Sequence, residues 1–120
     1  PTDTRESISD LREFSLSLDT GLALYSILTP YPGTDVYEDS LKKGLIEDRN
    51  YAHYDMVHAI MPTHTLSRRE VQEELYDCYK EFYGSILGNI SGIFSKNETK
   101  RRIHRHMAGK KVLTNLRMMI

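Results

Sequence analysis

Ile27-Leu28-Thr29-Pro30-Tyr31-Pro32-Gly33-Thr34-Asp35-Val36-Tyr37 carries an apolar run into a proline-glycine turn and then into a helix start. This order predicts the end of a buried strand that feeds a rigid loop. Pro30 and Pro32 fix φ and remove two backbone donors, and Gly33 allows a φ that a β-carbon resists. Thr34 or Asp35 is placed to cap the following helix. In α/β architectures ligands gather at the C-terminal ends of strands, so a stiff loop at that end is a candidate pocket wall. The same residues also suit a plain strand-to-helix connection.

Upstream, Leu22-Ala23-Leu24-Tyr25-Ser26-Ile27-Leu28 is a short, nearly continuous apolar run between turn signals, as expected of a strand buried on both faces. A lone strand cannot satisfy its backbone, so this one requires neighbours. Asp3-Thr4-Arg5-Glu6 has the form of a capping box. Ile8, Leu11 and Phe14 then recur at three-residue spacing, which predicts a helix over about 4–17 with one buried stripe. A second helix is expected from about Asp35 to Lys43, closed by Gly44. Leu45 to Thr65 reads as irregular and rich in Tyr, His and Met, with a short extended piece over Met56–Met61. Ser67-Arg68-Arg69-Glu70 is a second capping box, with Leu66 as a hydrophobic staple. It opens the longest helix, whose apolar face is Val71, Leu75, Cys78, Tyr79, Phe82 and Ile86. A last helix is expected from Asn97 to Ala108, then an amphipathic piece through Leu113, Leu116 and Ile120.

At 120 residues and 39% hydrophobic, the chain fits one ordinary domain with a modest core. No apolar run approaches the roughly 18 residues of a membrane span, and no signal peptide opens the sequence, so a cytoplasmic location is expected. The start at Pro1 suggests that N-terminal sequence is missing. Cys78 is the only cysteine, which leaves no intrachain disulfide and no cysteine-based zinc site or cluster. A net charge of −1 hides an asymmetry: residues 1–95 carry 16 acidic and 8 basic side chains, and residues 96–120 carry 1 acidic and 8 basic. Arg101, Arg102 and Arg105, with His104 and His106, are therefore placed to meet phosphates or an acidic body. No aromatic interleaves them as base stacking requires, so nucleic acid is not the expected partner.

The opening Pro1-Thr2-Asp3-Thr4-Arg5-Glu6-Ser7-Ile8, the Thr29-Pro30-Tyr31-Pro32-Gly33-Thr34 loop, Lys43-Gly44-Leu45-Ile46, Tyr54-Asp55, and Leu66-Ser67-x-x-Glu70 follow one another with characteristic gaps. In this order they resemble the C-terminal part of radical S-adenosylmethionine enzymes. The cobalamin-dependent branch, with its methyltransferases and the anaerobic cyclase of magnesium-protoporphyrin monomethyl ester, is the most similar. Members of that branch often read Gly-x-Pro-x-Glu-Thr where this chain begins, so Asp3 replaces a Glu. Helix capping is the preferred role for Asp3. The resemblance covers about residues 1–87.

The resemblance implies an α/β fragment, mostly helical: the last helix-strand unit of an incomplete (β/α) barrel plus a helical C-terminal extension. Residues 1–44 would be the barrel edge, 45–66 an irregular linker, and 67–120 the extension with its basic tail. In the family three cysteines hold a four-iron, four-sulfur cluster that reductively cleaves S-adenosylmethionine to a radical. Those cysteines are absent, so this chain alone is expected to be inactive and to bind no cofactor. The parent polypeptide would bind S-adenosylmethionine and the cluster, with cobalamin as a further cofactor. The implied partners are the missing N-terminal barrel and cobalamin domain, together with a small-molecule substrate. By the same resemblance Leu28, Thr29, Pro30 and Tyr31 line the cofactor pocket. Tyr54, Asp55 and His58, with His53 and His64, are candidates to face substrate. The histidine spacings fit no helical metal pair. A different class of function stays open: a free-standing helical binding module that uses the basic tail for nucleic acid or an acidic partner.

Overall fold

The computed structural model describes residues 2–18, 20–88 and 96–107. Among the described residues there are four α-helices, α1 (Arg5–Ser17), α2 (Asp35–Lys42), α3 (Arg68–Gly88) and α4 (Glu98–Met107), and one 3-10 turn at Tyr51–His53. The described residues are mostly helical and contain no β-ladder. The chain divides into two compact units. Pro1–Ser9 with Ser26–Leu75 forms the first, and Asp10–Tyr25 with Tyr76–Ile120 the second.

In the first unit, Thr4 caps α1. Its hydroxyl accepts the Ser7 N–H at 3.2 Å, while Ser7 Oγ accepts the Thr4 N–H at 3.0 Å. The reciprocal box thus uses Thr4 and Ser7 in place of Asp3 and Glu6, and the capping role assigned to Asp3 falls one residue later. Thr34 caps α2 by accepting the Tyr37 N–H. At the other end of α2, Gly44 adopts φ +67°, the Leu45 N–H reaches Ser40 C=O and the Gly44 N–H reaches Leu41 C=O. These two bonds form a Schellman stop, which requires the positive φ that glycine supplies. At Ser67 the predicted box closes fully: Ser67 N–H donates to Glu70 Oε2 at 2.9 Å, and Glu70 N–H donates back to Ser67 Oγ. Leu66 and Val71 share one core cluster with Ala59, against which Ile8 and Ile27 pack. A second cluster joins Ile46, Tyr54 and Ile60, with Tyr37 against it.

Residues 45–66 are irregular, as expected, but well bonded. Gln72 of α3 accepts the Ala59 N–H and donates to Val57 C=O, and Arg68 Nη1 donates to Ala59 C=O. In place of an extended piece over 56–61, the chain turns at 54–57 with Met56 at φ 66°.

The second unit is centred on aromatic side chains. Tyr25 meets Tyr79 edge-on at 5.3 Å, and Phe82 meets Tyr83 likewise at 5.1 Å. Cys78 and Phe82 are buried on the predicted face of α3. The side chain of Ile86, Gly109 and the piece through Leu113, Leu116 and Ile120 lie outside the described residues. Asn97 caps α4 through a 3.2 Å bond from the Lys100 N–H, and Arg102 and Arg105 are exposed.

Two further expectations are corrected. Leu22–Leu28 forms no strand, because no second strand lies among the described residues to complete a ladder. Even so, burial alternates strictly from Gly21 to Thr29, with Leu22, Leu24 and Leu28 outward and Leu24 at 84% exposure. Inward-facing residues find substitutes for a ladder. Tyr83 Oη donates to Ala23 C=O, Tyr79 Oη accepts the Tyr25 N–H and donates to Tyr25 C=O, and the Ile27 N–H reaches Met56 C=O. The backbone groups of Leu22, Leu24, Ser26 and Leu28 have no partner among the described residues. The second correction concerns α1, where Leu11 and Phe14 are exposed. In the second unit it is Ser15 that is buried, hydrogen-bonded to the Tyr25 hydroxyl, while Arg12 approaches Glu81 at 3.7 Å.

Candidate functional site

The nominated cofactor- and substrate-lining residues all belong to the first unit. Tyr31-Pro32-Gly33-Thr34 closes a tight turn in which the Thr34 N–H meets Tyr31 C=O at 3.1 Å. Gly33 takes φ +86° there, the sign demanded at the third position of a type II turn. The turn leaves Leu28 and Tyr31 exposed, while Thr29 and Pro30 are buried. Of the four proposed cofactor-lining residues, two therefore present side chains at the surface and two hold the loop from beneath. Tyr31 lies 6.5 Å from Tyr54 between ring centroids, and Tyr54 lies 5.2 Å from Tyr51. A hydrogen bond to Tyr51, which holds the Tyr37 phenol in its neutral form, and then burial raise its pKa above the ordinary value. Four tyrosines thus form one neighbourhood.

Next to it stand two carboxylate–imidazole pairs. Asp48 Oδ2 lies 2.8 Å from His53 Nδ1, and Asp55 Oδ2 lies 2.8 Å from His58 Nδ1. The two imidazoles stack, with centroids 4.6 Å apart and planes 18° from parallel. Asp55 Oδ1 also accepts the N–H groups of Val57 and His58, each at 2.9 Å. Desolvation pushes the Asp55 carboxyl upward, yet these two amides and the imidazole outweigh it and bring its pKa down to about 2. The Asp48 carboxyl is lowered chiefly by its bond to His53, then by the Asn50 N–H. Arg68 approaches Asp48 at 3.7 Å and Glu47 at 3.2 Å.

Sequence reasoning nominated Tyr54, Asp55 and His58 separately, and the structure joins Asp55 to His58 directly. Reasoning from sequence missed Asp48 and Asn50 as partners of His53. The available signal was Asp48-x-Asn50-x-x-His53, an Asx-turn spacing that returns a side chain onto its own loop. His64 is exposed. Among the described residues no group of three His, Cys, Asp or Glu is arranged to hold a metal. Cys78 is buried on α3, and one thiol does not supply the ligand set of a four-iron cluster. No helix of the described residues is long and apolar enough to cross a membrane.

Comparison with known proteins adds two relatives. An uncharacterized methyltransferase of Pyrococcus horikoshii is 29% identical over 83 residues, which is 69% of this chain and 18% of that protein. Bacteriochlorophyllide d C-8(2)-methyltransferase of Chlorobaculum tepidum is 28% identical over 81 residues, covering 68% of this chain and 18% of that protein. The chain thus spans less than a fifth of the length of these relatives. No family model matches it. No solved structure matches it.

Proposed function

We propose that this chain is the C-terminal portion of an S-adenosylmethionine-dependent methyltransferase of the radical, cobalamin-dependent branch, contributing part of the wall of its pocket. The observation that carries this reading is the similarity to two methyltransferases over more than two thirds of the chain. In this reading residues 1–44 are the barrel edge, 45–66 the linker and 67–120 the extension. Leu22–Leu28 is then the last barrel strand, and its open backbone edge and outward leucines meet a sheet carried by upstream polypeptide. An unpaired edge of that kind is a template for another strand.

Leu28 and Tyr31 would face the methyl donor, with Thr29 and Pro30 bracing them, and Tyr54, Asp55 and His58 would face the substrate. S-adenosylmethionine supplies the methyl group. In this reading the cluster is held by upstream sequence, because the thiolates it requires are not in this chain, and cobalamin is assigned to the same upstream part by the resemblance alone. The test is anaerobic reconstitution with iron and sulfide of this chain and of the same chain extended upstream. The extended protein should form a cluster and consume S-adenosylmethionine under reducing conditions, while the 120-residue chain should do neither. Consumption by the short chain, or its failure in a folded extended protein, overturns the proposal.

A further inference from the structure

We infer that His58 Nε2 is a proton-accepting atom, held in that state by Asp55, for a substrate bearing a weakly acidic X–H group such as a hydroxyl or a ring N–H. The inference deepens the pocket-wall reading above and rests on it for the location of substrate. Its basis is hydrogen-bond direction. Asp55 Oδ1 accepts two backbone N–H groups, so Oδ2 remains for the imidazole. An ionised carboxylate only accepts, so His58 Nδ1 carries a proton, and in the neutral ring Nε2 is then the nitrogen with the lone pair. Among the described residues Nε2 has no partner, and the side chain is 29% exposed.

The stacked neighbour is built differently. Asn50 Oδ1 accepts the Ala52 N–H, so Asn50 Nδ2 is the donor toward His53 Nε2 at 3.2 Å. His53 is thereby saturated: Nδ1–H is on Asp48 and Nε2 is occupied by Asn50. It serves as a neutral platform beneath His58. Once His58 takes a proton, the cation faces Asp55 on its own loop and a neutral ring below. Asp48 and Glu47 lie beyond that ring, with Arg68 of α3 drawn onto them. In the step itself the X–H bond breaks, its electron pair stays on X, and the new bond is Nε2–H. Asp55 is a positioning residue that fixes the tautomer.

The experiment is ¹⁵N NMR of the imidazoles in this chain at alkaline pH. Wild type should show His58 protonated at Nδ1 and bare at Nε2. Asp55→Asn retains the Oδ1 bonds but offers an N–H to Nδ1, so the tautomer should invert. Diethyl pyrocarbonate, which acylates bare imidazole nitrogen, should modify His58 before His53, and about tenfold more slowly in Asp55→Asn, where Nδ1 is tied up and Nε2 is protonated. A wild-type His58 protonated at Nε2, or equal reactivity of the two histidines, overturns the inference without any variant. S-adenosylmethionine consumption by the extended protein is a separate measurement. Its failure alongside the expected NMR and acylation results would remove the methyltransferase reading and leave the proton-accepting site standing.

Discussion

Replacing Tyr79 with Phe deletes a single oxygen that serves two buried backbone groups. The hydroxyl accepts the Tyr25 N–H at 3.1 Å and donates to Tyr25 C=O at 2.7 Å, and Tyr25 is 8% exposed. The edge-on contact of the two rings at 5.3 Å survives in Phe, so the loss is confined to hydrogen bonding. A buried group left without a partner costs about 1–3 kcal/mol, so two such groups predict a loss of about 2–6 kcal/mol. Tyr83→Phe removes one bond, to the half-buried Ala23 C=O, and should cost about 1 kcal/mol. Urea unfolding of both variants measures the difference, with the denaturant slope expected to stay constant. A smaller cost for Tyr79→Phe than for Tyr83→Phe would mean that the segment at Tyr25 does not depend on the hydroxyl that replaces a strand.

Three other perturbations probe the first unit. Asp55 has its pKa depressed from 3.8 to about 2, so its contribution is fully present above pH 3.8 and is lost as pH falls toward 2. Because its side chain is 40% exposed, the face-value figure of about 2 kcal/mol is discounted for solvent screening to about 1 kcal/mol. Stability of wild type minus Asp55→Ala, followed by urea unfolding from pH 5 to 2, should shrink over that window, and a flat difference contradicts it. Ser67→Ala should cost about 1 kcal/mol by removing the acceptor of the Glu70 N–H, read from the thermal midpoint. At Met56, φ 66° is hostile to a β-branched side chain, so Met56→Val should destabilise by about 1 kcal/mol or more while Met56→Gly stays near neutral. Equal effects of Val and Gly would deny the strain.

Helix ends were legible because capping is local chemistry. Ser67 with Glu70, Thr34 before Asp35, and Gly44 after Lys43 each act within four residues of themselves. The face of α3 was equally legible, since Val71, Leu75, Cys78 and Phe82 recur at the helical period and are all buried. Long-range features were hidden. Glu74 sits inside that face as a buried carboxylate because Arg5, 69 residues away, pairs with it, and no periodicity announces such a partner. The exposed Leu11 and Phe14 of α1, like the outward leucines of 22–28, carry a pattern that the described residues leave unanswered. Apolar periodicity records that a face is to be covered without recording what covers it. The two histidine pairs were half legible: the residue types stood out, but His53 and His58 stack across a turn in which Met56 takes a positive φ that the residue itself does not advertise.

If the turn after Leu28 is part of an S-adenosylmethionine pocket, Tyr31 is the side chain whose loss shows it. Calorimetric titration of S-adenosylmethionine into the upstream-extended protein, wild type against Tyr31→Ala, tests this directly. The side chain is exposed and braced by buried Thr29 and Pro30, so its removal should leave folding intact. The wild-type extended protein should bind, and the variant should bind about tenfold more weakly, equivalent to about 1.4 kcal/mol of lost contact. Unchanged affinity in a folded variant, or no binding by the folded wild-type protein, would contradict it.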